Sequence, residues 1–309
     1  MKADVLPTTA YIMLGEKCKN KCLFCAQSQG SEARANLLSR VTWPAFPPEE
    51  AVTGIGNSYQ VGTIKRACLQ VVQNGDSWAD TVNALELLQN SSAVPICVSS
   101  HLATVEQAKE LVARGAQRVC IALDAATPEL YKQVKGSLWA AKWSLLLACA
   151  QALPSLITTH LIVGLGETEE EMVSRMAICI DQGITIGLFA FTPVRGTAWA
   201  SHLPPSIPHY RRIQIAHRLL QSGYKQDIIR YKQGIISEFK VAEVELLALL
   251  IDGQAFQTSG CDDCNRPYYN ERPGSFFYNY PRRLTSSEVT KAIQECGIIW
   301  GKQDELANY

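Results

Sequence analysis

The chain has 309 residues, 47% hydrophobic and 19% charged, with zero formal net charge. That is enough chain for a large α/β core. It excludes the long-range basic field of a nucleic-acid binder, and no apolar run reaches the length of a membrane span. The opening stretch MKADVLPTTAYIML has no basic segment followed by a long apolar run, so no secretory leader is read and a cytoplasmic location is expected.

In chain order, TAYIML, RACLQVV, VPICVS, RVCIAL, LITTHLIVG, ITIGLFAF, KQDIIRY and, more weakly, GQAFQT read as strands. Amphipathic stretches between and after them predict helices, among them 78–89, 104–114, 168–181, 208–221 and 240–250. Thr168 followed by Glu171 is a capping box that opens one of these helices. Several strand runs are almost continuously apolar, as in parallel strands buried on both faces. The alternation predicts a (β/α)8 TIM-type barrel, with a doubly wound open sheet as the alternative. Residues 1–258 are assigned to the barrel. Residues 259–309 form an irregular, cysteine-containing C-terminal extension with a short helix over 286–295.

Eleven cysteines are many for a chain of this size. In a reducing compartment they are not expected to form a disulfide framework. Cys149, Cys179 and Cys296 lie in helical patterns and Cys120 in the fourth strand; all four read as buried structural thiols. Cys18, Cys22 and Cys25, in GEKCKNKCLFCAQ, follow the first strand and therefore fall in the first βα loop, on the catalytic face of a barrel. Three thiolates at this spacing can hold three irons of a cubane cluster and leave the fourth iron open to a chelating molecule. A zinc site completed by a distant residue, or no metal at all, is the alternative.

The C-x3-C-x2-C spacing with Phe24 before the last cysteine resembles the signature of radical S-adenosylmethionine enzymes. The resemblance implies a [4Fe-4S] cluster on Cys18, Cys22 and Cys25, the catalytic set. S-adenosylmethionine would be its fourth ligand and would be cleaved to a 5′-deoxyadenosyl radical. LIVGLGETEEEM resembles the glycine-rich segment of the same superfamily, where Gly164 and Gly166 let backbone approach the cofactor. Asp124 stands where biotin synthase places an acid on the ribose hydroxyls; an ordinary helix N-cap is the other reading.

The resemblance to biotin synthase runs from about Thr9 to Thr258 and implies auxiliary-cluster ligands at Cys68 and Cys97. A pair of core thiols is the alternative. Thr158 replaces the third auxiliary cysteine of that enzyme, and Ala122 and Phe189 replace two substrate-region asparagines. Polar groups of a ureido ring would be left unpaired beside them. Cys261 and Cys264, a C-x2-C after the last predicted strand, complete a four-thiolate set at what is expected to be the same barrel mouth. A zinc knuckle remains open for these four, and Ser259 is a candidate oxygen ligand. Asp262, Asp263 and Arg266 are read as a solvated loop or a supporting layer.

The segments LLSRVTWP and TSGCDDCNRPYYNERPG resemble a subunit of the two-component lipoyl synthases of some archaea and anaerobes. The resemblance implies sulfur insertion into an octanoyl chain on a carrier-protein lysine, with the auxiliary iron–sulfur cluster as sulfur donor. It implies three partners: an octanoylated lipoyl carrier, a second radical component, and an electron donor such as ferredoxin or flavodoxin. Phe189, Phe191 and Trp199 are candidate lining residues for the alkyl chain, with core packing the favoured reading for any one of them. A biotin-synthase-like enzyme acting on dethiobiotin, and a non-catalytic iron–sulfur electron carrier, are the competing readings.

Overall fold

The computed structural model describes residues 5–271 and 276–298; positions 1–4 of the opening stretch, and 272–275 and 299–309 of the expected extension, lie outside them. Six strands form one parallel sheet in sequential order: Thr9–Leu14, Arg66–Val71, Ile96–Ser99, Ala116–Cys120, Ile157–Val163 and Thr185–Ala190. Helices connect them, as parallel neighbours require. These are Pro48–Gln60, Ser77–Ser91, Val105–Ala113, the pair Pro128–Lys135 and Trp139–Ala152, and Glu169–Asp181; Ile207–Gln221 follows the last strand. The capping box at Thr168 is present. The Glu171 N–H donates to Thr168 Oγ1 at 3.1 Å, and the Thr168 N–H donates to the Glu171 carboxylate at 2.7 Å.

The two faces of the sheet have different work. Leu69, Val98, Val119, Leu161 and Ile186 point outward and pack on Leu85, Leu111, Leu146, Met172 and Ile213 from the helices, all essentially inaccessible. Each such side chain contributes on the order of 1.5–3 kcal/mol relative to exposure. Alternate residues point inward: Tyr11, Cys68 and Gln70, Cys97 and Ser99, Thr158 and His160, Gly187 and Phe189. All of these line one cavity of about 230 Å3. Residues from edge strand to edge strand meet round one space only if the sheet curls, so the sheet is part of a barrel.

Among the described residues the parallel sheet has six strands where eight were expected. The predicted seventh, KQDIIRY, enters an antiparallel hairpin, Ile229–Lys232 with Ile235–Phe239. Gln233 and Gly234 both have positive φ, 53° and 75°, as a tight hairpin turn demands, so the chain reverses instead of crossing over. GQAFQT forms a 3-10 turn at Gln254–Phe256, with one bridge from Gln257 to Tyr280.

The loop after it occupies the gap between the first and sixth strands. On one side, Ser259 Oγ accepts the Leu188 N–H at 2.9 Å, and Gly260, at φ +117°, lies flat against Gly187. On the other, Asn265 accepts the Thr8 N–H at 2.9 Å and donates to the Leu6 carbonyl at 2.9 Å. The loop thus covers both sheet edges that a closed barrel would have paired. Cys149, Cys179 and Cys296 are fully buried in the outer core. Among the described residues, no helix is long and apolar enough to cross a membrane.

Candidate functional site

The first cysteine loop leaves the carboxyl end of the first strand and is held by its backbone. Cys18 N–H donates to the Gln27 carbonyl at 2.7 Å, Cys25 N–H to Cys22 at 3.2 Å, and Leu23 N–H to Val134 at 2.9 Å. Gln27 is buried beneath it, accepting the Lys17 N–H at 3.0 Å and donating to the Leu37 carbonyl at 2.7 Å. Cys22 is buried, Cys18 and Cys25 are half-buried, and Cys25 and Phe24 line the cavity. Burial pushes the Cys25 thiol up to about 12, with the neighbouring Cys22 adding to it. Burial also raises Cys22, against the pull of the Lys135 ammonium.

Asp124 lines the same cavity just past the fourth strand, in the left-handed region at φ +68°. Backbone bonds on either side of Leu161 hold it there, from its own N–H to the His160 carbonyl and from the Ile162 N–H to its carbonyl, each 2.8 Å. The cap of the next helix is Thr127, which accepts the Leu130 N–H at 3.2 Å, so the N-cap reading of Asp124 does not apply. Its carboxylate is ion-paired with the buried ammonium of Lys135. Nothing in the local sequence marks Lys135; the turn of helix Pro128–Lys135 brings it back over the site.

Gly164 and Gly166 have φ of +97° and +124°, but neither is among the cavity-lining residues. A Cβ on Gly164 would sit 2.8 Å from Pro205. The Glu167 carboxylate gathers this turn by accepting the Gly164 and Leu165 N–H groups at 2.6 and 3.0 Å, and burial lifts it to about 7.

Cys68 and Cys97 are register partners on adjacent strands, both facing inward. Cys261 Sγ lies 3.7 Å from Cys97 Sγ although the residues are 164 apart in sequence. Cys264 completes the group, its sulfur 3.1 Å from the Tyr11 phenol oxygen. All four line the cavity that Cys25 also lines. The C-x2-C loop does not sit at the mouth with Cys18, Cys22 and Cys25, as expected from a loop leaving a last strand. It binds Thr8 and Arg66, which begin or precede the first two strands, and so lies toward their amino ends. The reason is the missing pair of strands, whose place this loop takes.

A hydrogen bond from Cys97 draws the Cys261 thiol down, against burial and with help from Arg66, Arg266 and Arg118. Cys97 also lowers Cys68 and is itself raised. Cys68 and Cys261 are thus drawn toward the thiolate, the form that metals bind, and Cys97 away from it. Among the described residues, no three His, Cys, Asp or Glu side chains converge as a single metal ion requires. Four thiols round one cavity are the donor set that an iron–sulfur cluster takes.

Cys120 is buried between Ser99 and Thr158 and is pushed up to about 12 by burial, as a structural thiol would be. Ser259 spends its hydroxyl oxygen on Leu188 and is not among the cavity-lining residues. Ala122, Thr158, Phe189 and Phe191 line the cavity; Trp199 instead packs edge-on behind Phe191, ring centroids 5.9 Å apart. Asp262 and Asp263 are exposed, but Arg266 is not simply solvated: it lines the cavity with its guanidinium 4.1 Å from the centre of the Phe189 ring. Arg66, 3% exposed, lines the cavity beside the cysteines. Its only signal in sequence was a charge opening an otherwise apolar strand.

Residues 12–177 match the family model of the Radical SAM superfamily. A lipoyl synthase of Actinobacillus pleuropneumoniae serotype 5b (strain L20) is 28% identical over 190 residues, 58% of this chain and 53% of that protein. A lipoyl synthase of Chlorobaculum tepidum is 25% identical over 236 residues, 70% of this chain and 75% of that one. The chain spans about half the length of the Actinobacillus relatives it matches. Among solved structures, methylornithine synthase (PylB) superposes with a TM-score of 0.55 at 12% identity, covering 97% of this chain and 84% of that one. The FeFe-hydrogenase maturase HydG from Carboxydothermus hydrogenoformans gives 0.54 at 15% identity, covering 94% and 66%. At such identities these two share the fold alone.

Proposed function

This chain belongs to the radical SAM superfamily, which implies a 4Fe–4S cluster with S-adenosylmethionine, and we propose that it inserts sulfur into an octanoyl chain as one component of a two-part lipoyl synthase. The observation that carries the reading is a single cavity with Cys25 and Asp124 on its wall and Cys68, Cys97, Cys261 and Cys264 also on it. Cys18, Cys22 and Cys25 would hold the first cluster and the other four a second one. Two guanidiniums support the second. Arg66 and Arg266 both line this space, and neither has a carboxylate partner among the described residues. A buried cation without a counter-charge is costly, and a thiolate-bound cluster would provide that charge.

When bound, the first cluster with S-adenosylmethionine supplies a hydrogen-abstracting radical and the second supplies sulfide. The protein's own groups position and exclude water. Asp124 offers a carboxylate to ribose hydroxyls, and the ion pair with Lys135 holds that carboxylate in place. Ile162, Phe189 and Phe191 give the cavity an apolar wall suited to an alkyl chain. Ala122 and Phe189 leave a ureido ring without partners, which favours octanoyl over dethiobiotin. Burial lowers His160 to about 4, so it faces the chain as a neutral ring. The partners in this reading are an octanoylated carrier protein, a second radical component, and a ferredoxin- or flavodoxin-type reductant.

The test is iron content and Mössbauer spectra of anaerobically reconstituted protein, wild type against the Cys18/Cys22/Cys25→Ala triple variant. About eight irons falling to about four is expected for two cubanes. About four falling to none removes the sulfur donor and overturns the proposal. With eight irons present, turnover of an octanoyl-lysine peptide against dethiobiotin separates the two substrates, and failure to bind S-adenosylmethionine would leave only an electron carrier.

A further inference from the structure

Two polar side chains on the cavity wall have their hydrogen-bonding ends on sulfur. Gln70 Nε2 lies 2.9 Å from Cys68 Sγ, and the Tyr11 phenol oxygen lies 3.1 Å from Cys264 Sγ. Both residues follow from strand geometry. Gln70 is two residues beyond Cys68 on the same strand and face, and Tyr11 is the register partner of Cys68 on the first strand. Inward positions of a curled sheet normally carry apolar side chains. A carboxamide and a phenol there need partners, because an unpaired buried polar group is costly. Among the described residues, their side chains make no other hydrogen bond than these. Cys97 and Cys261 bond each other instead.

We infer that Tyr11 and Gln70 are positioning residues that tune the reduction potential of the cluster on Cys68, Cys97, Cys261 and Cys264. The inference rests on the second cluster proposed above. Facing a thiolate, the phenol and the amide are the donors. Each bond draws electron density from a ligating sulfur and stabilises the more negative, reduced state, which raises the potential. The bonds also divide the ligands into two supported from outside, Cys68 and Cys264, and two that are not.

The test uses the Cys18/Cys22/Cys25→Ala background, in which only the second cluster titrates. Tyr11→Phe and Gln70→Leu are compared with that parent by iron content and by a mediated dithionite titration followed by electron paramagnetic resonance. Tyr11→Phe keeps the ring and removes only the hydroxyl. Each variant is expected to keep its iron and to lower the reduction equilibrium constant roughly tenfold, about 59 mV for a one-electron couple. Ile162→Val, at another wall residue whose side chain has no hydrogen-bonding group, is expected to leave the midpoint in place. Midpoints unmoved in both variants with iron retained, or an equal shift in Ile162→Val, overturn the inference. No iron in the parent overturns the second cluster itself, and the inference with it; the iron assay therefore tells the two failures apart.

Discussion

Replacing Asp124 by Asn isolates the buried ion pair at the centre of the site. Asn tolerates the left-handed backbone that Asp124 adopts at φ +68°, so the change removes charge and little else. The Asp124 and Lys135 side chains are only 11% and 6% exposed. Leaving Lys135 charged and unpaired in that setting costs about 3–5 kcal/mol. With an unfolding entropy of about 2.1 cal/mol/K per residue, a chain of 309 residues should lose roughly 5–8 °C in Tm. The assay is thermal and urea unfolding of the metal-free protein for Asp124→Asn, Lys135→Met and the double variant. The double variant should recover most of the loss, because a buried pair replaced by uncharged groups is nearly neutral.

The pH dependence has a definite sign. Burial works against the Lys135 charge, but Asp124 and Cys22 outweigh it and hold the folded pKa above its ordinary value. The pair's contribution is therefore complete below about pH 10.4, the unfolded value, and fades as pH rises through the folded one. A loss under about 1 kcal/mol in Asp124→Asn, or a double variant worse than either single, would refute the reasoning.

Glu167 should make the metal-free protein less stable as pH rises from about 4.5 to 7, because its folded pKa of about 7 lies above the ordinary 4.5. Glu167→Gln should abolish that component, roughly 3 kcal/mol at 1.36 kcal/mol per pH unit; identical pH–stability profiles for the two proteins would contradict it. Arg66→Met should leave the metal-free protein no less stable in urea, since an unpaired buried cation is removed. The same variant should retain less than about half the iron of the second site after reconstitution. A destabilised apoprotein with full iron would show that Arg66 serves packing and not the cluster's charge.

The hydrophobic runs of the first six strands, the Thr168 capping box and the loop position of Cys18, Cys22 and Cys25 were all legible in the chain. Each depends on residues within a few positions of one another, and local periodicity encodes such relations directly. Cys68 and Cys97 came from resemblance, and their alignment on adjacent strands follows once parallel register is known. KQDIIRY does form a strand over Ile229–Lys232, but a two-residue turn with positive φ returns it as a hairpin instead of carrying it into the parallel sheet.

Local pattern by itself therefore determined the first six strands, their parallel arrangement and the first cysteine loop. Tertiary structure alone decided that six strands curl without closing, and that the loop after Ser259 fills the gap. It also decided that Cys261 meets Cys97 deep in the cavity, and that Lys135, Arg66, Tyr11 and Gln70 turn their polar ends into the site. These outcomes depend on sheet curvature and on contacts between residues far apart in sequence, and no short-range pattern carries that information.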